Sequence, residues 1–320
     1  MRIVIPDDGD RLFPGTPALE RLQRLGALSY HPDTAPGREA LLGRLEGAEI
    51  ILTTRYKTDF KTAGLLDRLP ALRMISVMGT RPRTVDMKRA NERGITVTIT
   101  PGASAPSVAE HTLMLLLALA KQMPFMMPAM REGAWPRRSG VEVAGKTLGV
   151  LGFGNIGKAL CRMALALGMR VLAWSKHMTP ARAAMEGAEA ATLEACIGAD
   201  FLALLLHVTP ETRGILSRER IARMKPTAYL INTGRAALVD MEALCEALRQ
   251  GKIAGAGLDV FEPAEPLPPD SPFRALGNVI LTPHSAWDTE GSQRRFVNLT
   301  VDNIEAWLRG RPQNVVTEDA

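Results

Sequence analysis

Ten short apolar runs, each bounded by turn residues, constrain this chain more than any other feature: RIVIP, EIILTT, RMISVM, ITVTIT, TLGVLG, RVLAW, FLALLL, AYLIN, GAGLDV and NVILT. Runs this short and this continuously apolar suit strands covered on both faces. Amphipathic or small-residue stretches with helical spacing separate most of them, which is the alternation of a parallel sheet buried under crossover helices. The expected fold is therefore α/β, with doubly wound, Rossmann-like sheets. The runs fall into two sets, so two domains are expected.

The seam between the sets is TPGASAPSVAEHTLMLLLALAKQM, residues 100–123. Pro and Gly open it, and the run from Val108 to Ala120 is too uniformly apolar for a surface helix. It is expected as a helix buried between domains or subunits, and it is too short to span a bilayer. A closing helix is expected at 290–310, with Phe296, Leu299, Ile304 and Leu308 at helical spacing and a stop at Gly310 before Pro312. The methionine-rich MPFMMPAM at 123–130 reads as adaptable core or interface filler.

Composition narrows the partners. A chain of 320 residues that is 46% hydrophobic is long enough for two cores. Its first residues, MRIVIPDDGD, hold an apolar run too short for a signal-peptide core, so the cytoplasm is the default. Cys161, Cys196 and Cys245 are widely spaced and form no C-x-x-C pair, so neither a disulfide framework nor a metal site is expected. The net charge of +5 is scattered instead of gathered into a basic block, which argues against nucleic acid and leaves a solvated surface that draws in small anions.

In the second set, GKTLGVLGFGNIGKALCRMALALGMRVLAWSK supplies a strand, then Gly152-Phe153-Gly154-Asn155-Ile156-Gly157, then a helix and a second strand. Alone, G-x-G-x-x-G is a weak signal; between a strand and a helix it becomes a strong sign of a dinucleotide site. Gly152 allows the tight turn, Gly154 lets the backbone approach a pyrophosphate, and Gly157 lets helix and strand pack closely. The helix N-terminus offers its unpaired N–H groups to the anion. About twenty residues on, where an acid would hold the adenosine ribose, the chain reads Trp174-Ser175-Lys176-His177. With no carboxylate there to repel a 2′-phosphate, Ser175 and Lys176 favour NADP over NAD.

Three later strands carry the chemistry to one sheet edge. AYLIN ends in Thr233-Gly234-Arg235, GAGLDV runs into the acidic, proline-rich FEPAEPLPPD, and NVILT ends at His284. Ligands of open α/β sheets bind outside the carboxyl ends of the strands. Arginine's planar fork holds a carboxylate and steadies charge developing on a neighbouring oxygen. Histidine trades a proton with that oxygen, and a carboxylate on its other nitrogen orients the ring and favours the imidazolium. The set suits hydride transfer. His207, at the end of FLALLLHV, faces the cofactor crevice by position, with capping of the strand end as the alternative; His31 and His111 read as structural.

The order of G-x-G-x-x-G, HVTPETRGILS, MKPTAYLINTGRAALVD, GAGLDVFEPAEPLP and NVILTPH resembles the D-isomer-specific 2-hydroxyacid dehydrogenase family over about residues 145–287, and VAEHTLMLLLALA extends the likeness upstream. The resemblance implies a cofactor domain, 100–287, inserted into a discontinuous substrate domain, 1–99 plus 288–320. It implies a homodimer, with the 108–120 helix and the Met-rich stretch as the contact. It gives Arg235 the substrate carboxylate, His284 the acid/base role and a loop glutamate the pairing with His284. It brings Asn155 and Ile156 to the pyrophosphate, Ser175 to the ribose, and Thr233, Asp259 and His284 to the nicotinamide side. It makes Met78, Gly79 and Thr80 donors to the substrate carboxylate and Trp287 a pocket aromatic. The implied activity is reduction of small 2-oxoacids such as glyoxylate or hydroxypyruvate, reversible to D-2-hydroxyacid oxidation.

Two departures from the family pattern stand out. The glutamate falls one residue late, so Glu265 is preferred to Glu262 because prolines fix the loop after it. Arg81 and Arg83 occupy a loop that the family fills with small or polar residues, where they either welcome a second anionic group or are simply solvated. TPHSAW also resembles the family's corepressor branch, so a dinucleotide-sensing, partner-binding scaffold is the alternative reading.

Overall fold

A computed structural model describes residues 1–54, 58–62 and 64–317. The chain divides into two compact units, Met1–Ser104 with Thr289–Ala320, and Ala105–Asp288. In the first unit the strands are β1 (Arg2–Ile5), β2 (Ala27–Tyr30), β3 (Ile50–Thr54), β4 (Met74–Met78) and β5 (Thr96–Thr98). They form a parallel sheet in the order β2-β1-β3-β4-β5. In the second unit the strands are β6 (Thr147–Leu151), β7 (Arg170–Trp174), β8 (Glu189–Ala190), β9 (Phe201–Leu204), β10 (Tyr229–Asn232), β11 (Gly255–Leu258) and β12 (Val279–Leu281). Their order is β12-β11-β10-β9-β6-β7-β8, again all parallel.

Most of the apolar runs become inner strands because both faces are covered: β3, β4, β9, β10 and β11 are buried at every residue. Two strands, β2 and β8, lie outside the ten runs; both are sheet edges, half-exposed or exposed, and carry no apolar signature.

The closing helix forms at Glu290–Leu308, with Thr289 accepting from Ser292 N–H as its N-cap. It docks on the sheet of the N-terminal unit: Ser76 Oγ donates to Thr300 O (3.1 Å), Trp307 Nε1 to Thr96 Oγ1 (3.1 Å) and Asn303 Nδ2 to Ile99 O (2.9 Å). Arg21 grips Asp302 at 2.6 Å and Glu305 at 2.9 Å, which holds the Glu305 carboxyl below its usual range. The buried stripe runs through Phe296, Val297, Val301 and Ile304, while Leu308 at the last turn is exposed, contrary to its expected place on the apolar face.

The seam segment becomes the Ala105–Ala120 helix, buried through Val108, Ala109, Leu115, Leu116 and Leu119, and it is followed by a second helix, Met123–Arg131. The methionine-rich stretch buries no residue, so it is not core filler; Phe125, Met127 and Met130 are exposed, as are Met114 and Trp135 nearby. No single helix among the described residues is long and apolar enough to cross a membrane.

Candidate active site

The loop after β4 aside, the candidate residues belong to the Ala105–Asp288 unit. In the turn after β6 each glycine has its own physical reason. Gly152 has φ of 105°, in the left-handed region, and a Cβ there would stand 2.6 Å from the Leu205 carbonyl carbon. A Cβ on Gly157 would strike the Gly152 carbonyl oxygen. At Gly154 an added Cβ meets nothing within 4 Å, so protein packing does not require glycine there, and the turn leaves room for a ligand's phosphates to approach the backbone.

Gly154 is also the N-cap of the Asn155–Ala166 helix and gives it no side-chain cap. The first N–H groups of that helix therefore remain as donors for an anion, with Gly154 and Asn155 exposed and Ile156 half-buried. These residues fit a dinucleotide pyrophosphate. At the end of β7, Ser175 is half-buried and Lys176 exposed. Glu211 stands 4.0 Å from Lys176 Nζ, a loose pair between two exposed groups, and is itself held by Thr209 Oγ1. His207 is exposed just beyond β9, and its carbonyl accepts from Thr212 Oγ1 at 2.7 Å.

At the end of β10, the fully buried Asn232 ties the turn: its Oδ1 accepts from Gly234 N–H and its Nδ2 donates to Arg235 O. Thr233 is buried and its Oγ1 lies 2.7 Å from Thr112 Oγ1. Gly234 is buried too, and a Cβ there would stand 2.8 Å from Leu204 O. The turn leaves Arg235 half-buried with Nη1 donating to Gly234 O at 2.6 Å.

The loop after β11 brings Glu265 to His284. Glu265 Oε2 lies 2.7 Å from His284 Nδ1, and Oε1 accepts from Phe261 N–H at 3.0 Å. Glu262 turns elsewhere, 3.9 Å from Arg213. An ionised carboxylate only accepts, so His284 carries its proton on Nδ1 and leaves Nε2 to exchange one with a ligand. The pair lines a cavity of about 400 Å³ whose walls include Phe261, Leu267, Arg274 and Leu281.

His284 adopts φ of 53°, a left-handed conformation that costs a non-glycine residue about 1–3 kcal/mol and must be held by its surroundings. The holding group is Asp259, which is fully buried. Its Oδ1 accepts from Thr282 Oγ1 (2.6 Å) and Ser285 N–H (3.0 Å), and its Oδ2 from Ala286 N–H (3.0 Å). His111, on the Ala105–Ala120 helix, places Nε2 at 3.0 Å from Thr282 Oγ1. Burial pulls the His111 pKa down, with the Asp259 charge opposing that shift. Trp287 closes the turn, donating from Nε1 to His284 O at 3.1 Å.

Two of the expected groups are bonded within the protein. Asp259, which the family resemblance puts on the nicotinamide side, is buried and bonded to the 282–286 turn. Of Met78, Gly79 and Thr80, Met78 is fully buried, Gly79 N–H donates to Thr100 Oγ1 at 2.8 Å, and Thr80 is exposed. His111, which reads as structural in the sequence, touches the machinery that holds His284; its only sequence signal is the V-A-E-H motif at the seam.

Known proteins share this architecture. Residues 113–286 match the family described as "D-isomer specific 2-hydroxyacid dehydrogenase, NAD binding domain". The glyoxylate reductase of Korarchaeum cryptofilum is 35% identical over 298 residues, 91% of this chain and 89% of that protein. The D-3-phosphoglycerate dehydrogenase of Methanocaldococcus jannaschii is 37% identical over 93% of this chain, which spans only 57% of that relative's length. The solved structure of the TT0316 protein from Thermus thermophilus superposes with a TM-score of 0.83 at 37% identity, covering 99% of this chain and 100% of that one. The scaffold alternative draws no support from these relatives, two of which are named as enzymes. The chain belongs to the D-isomer-specific 2-hydroxyacid dehydrogenases, NAD(P)-dependent oxidoreductases.

Proposed function

We propose that this enzyme reduces small 2-oxoacids, with glyoxylate and hydroxypyruvate as the first candidates, to the corresponding 2-hydroxyacids. The observation that carries the reading is the 2.7 Å Glu265–His284 pair at the same sheet edge as Arg235. The cofactor, held at 152–157 and Ser175, supplies a hydride when bound. Arg235 holds the substrate carboxylate and steadies the charge that develops on the carbonyl oxygen. His284 Nε2 gives that oxygen its proton, and Glu265, bonded to Nδ1, holds the ring's orientation throughout. Glyoxylate reductase is the name of one relative, which supports this substrate class.

NADPH is the proposed coenzyme, because Ser175 and Lys176 stand where an acid would exclude the 2′-phosphate and Glu211 only loosely engages Lys176. A homodimer is proposed through the exposed Met114, Phe125, Met127 and Met130 face. Light scattering of the wild type and of Met127→Asp tests it, and a monomeric wild type would end the idea.

The deciding experiment measures initial rates of NADPH and NADH oxidation against a panel of 2-oxoacids, with His284→Ala in parallel. Turnover that His284→Ala abolishes supports the assignment. Undiminished turnover in that variant, or none in the wild type with any 2-oxoacid, sinks it.

A further inference from the structure

We infer that His111 is a positioning residue for His284, acting through Thr282 and Asp259 without touching the substrate. The inference rests on the assignment of His284 as the proton carrier.

The bonding is directional. Thr282 has one hydroxyl proton, and it goes to Asp259 Oδ1 at 2.6 Å, since a carboxylate only accepts. The contact between Thr282 Oγ1 and His111 Nε2 at 3.0 Å then has Thr282 as acceptor, so His111 carries its proton on Nε2. His111 Nε2 also stands 3.6 Å from Asp259 Oδ1. The chain of donors runs from the helix to the hydroxyl to the carboxylate. Asp259 passes the constraint on by fixing Ser285 N–H and Ala286 N–H, the two amides directly after His284.

On the other side of His284, its own N–H donates to Thr282 O at 3.0 Å. Thr282 is thus bonded by its side chain to the clamp and by its backbone to the catalytic residue. Without the His111 donor, Thr282 Oγ1 keeps its bond to Asp259 but loses the N–H that restrains it from the helix side, and the left-handed turn at His284 loses one of its restraints. A small displacement of His284 Nε2 from the reacting oxygen costs much of the rate, because proton transfer needs hydrogen-bond reach.

The chemistry distinguishes this role from simple packing. Glutamine at 111 supplies an N–H donor on a side chain of similar reach; leucine fills the volume and supplies none. We expect His111→Leu to lower kcat about ten- to a hundredfold. The KM for cofactor should stay within about twofold, since the glycine turn is untouched. His111→Gln should recover most of kcat. Thr282→Val, which removes the same link from the other end, should match His111→Leu, and the double variant should lose no more than either single one.

A second readout is the NMR signal of the His284 Nδ1 proton bonded to Glu265, which should shift in His111→Leu and return in His111→Gln. Equal kcat in the leucine and glutamine variants, or additive losses in the double variant, would overturn the inference. If the wild type turns over no 2-oxoacid, the functional reading fails, and the NMR arm alone decides this one: an unshifted His284 signal in His111→Leu refutes it.

Discussion

Glu265 divides its two carboxylate oxygens between different tasks: Oε2 takes the Nδ1 proton of His284 at 2.7 Å, and Oε1 takes Phe261 N–H at 3.0 Å. The second bond fixes the carboxylate plane relative to β11, so the first bond fixes the imidazole. A side chain that is about a third exposed is thereby made a rigid partner for a residue on another strand.

That division of labour predicts a graded series. His284→Ala should lower kcat by about 10²–10⁴-fold, the ordinary worth of a positioned acid/base. Glu265→Gln keeps the shape and loses the charge, so it should cost less than His284→Ala but well over the effect of Glu262→Gln, whose carboxylate lies 3.9 Å from Arg213. Steady-state rates on the three variants check the order, and equal effects of the two glutamates would reassign the pair.

The glycines of the 152–157 turn should separate fold from ligand binding. Gly154→Ala meets no protein atom, so its melting temperature should match the wild type while cofactor binding weakens about tenfold or more. Gly152→Ala has the opposite signature: positive φ and a backbone clash should lower stability by about 1–3 kcal/mol. Thermal melts and fluorescence titration of NADPH, run on both variants, measure the two effects separately.

Charge at the end of β7 should set coenzyme choice. Lys176→Glu places a second acid beside Glu211, so NADPH affinity should fall about tenfold or more while NADH affinity changes little. A wild-type enzyme that prefers NADH in side-by-side titrations would contradict the proposed coenzyme directly.

Thiol chemistry gives a pH-dependent check on the core. Burial pushes the Cys161 thiol up to about 11 and Cys196 up to about 12. A raised thiol pKa keeps the proton on, so the reactive thiolate is scarce at about pH 8 in the folded state and plentiful after unfolding. Native protein should therefore label at these two sites far more slowly than urea-unfolded protein at that pH, and mass spectrometry of the labelled peptides would reveal any early reaction.

How much of this is legible beforehand depends on whether the signal is local. The ten apolar strands, the strand-turn-helix around 152–157, and the strand ends bearing Arg235, Glu265 and His284 can all be read from the chain, because each rests on spacing within a short window. The edge strands β2 and β8 cannot, since half-exposed residues leave no apolar run to find. The one-residue offset that leaves Glu262 and Glu265 both open is resolved by which carboxylate reaches His284, a contact 19 positions apart in the chain.

The sequence by itself determined the fold class, the cofactor turn and the set of side chains brought to one sheet edge, because strand period, glycine geometry and chain order are local properties. Tertiary structure alone decided which groups remain available. Asp259 and Gly79 N–H are claimed by Ser285, Ala286 and Thr100, and His111 is drawn onto Thr282. Burial and hydrogen-bond satisfaction are set by neighbours far away in the chain, and those neighbours exist only once both sheets have closed.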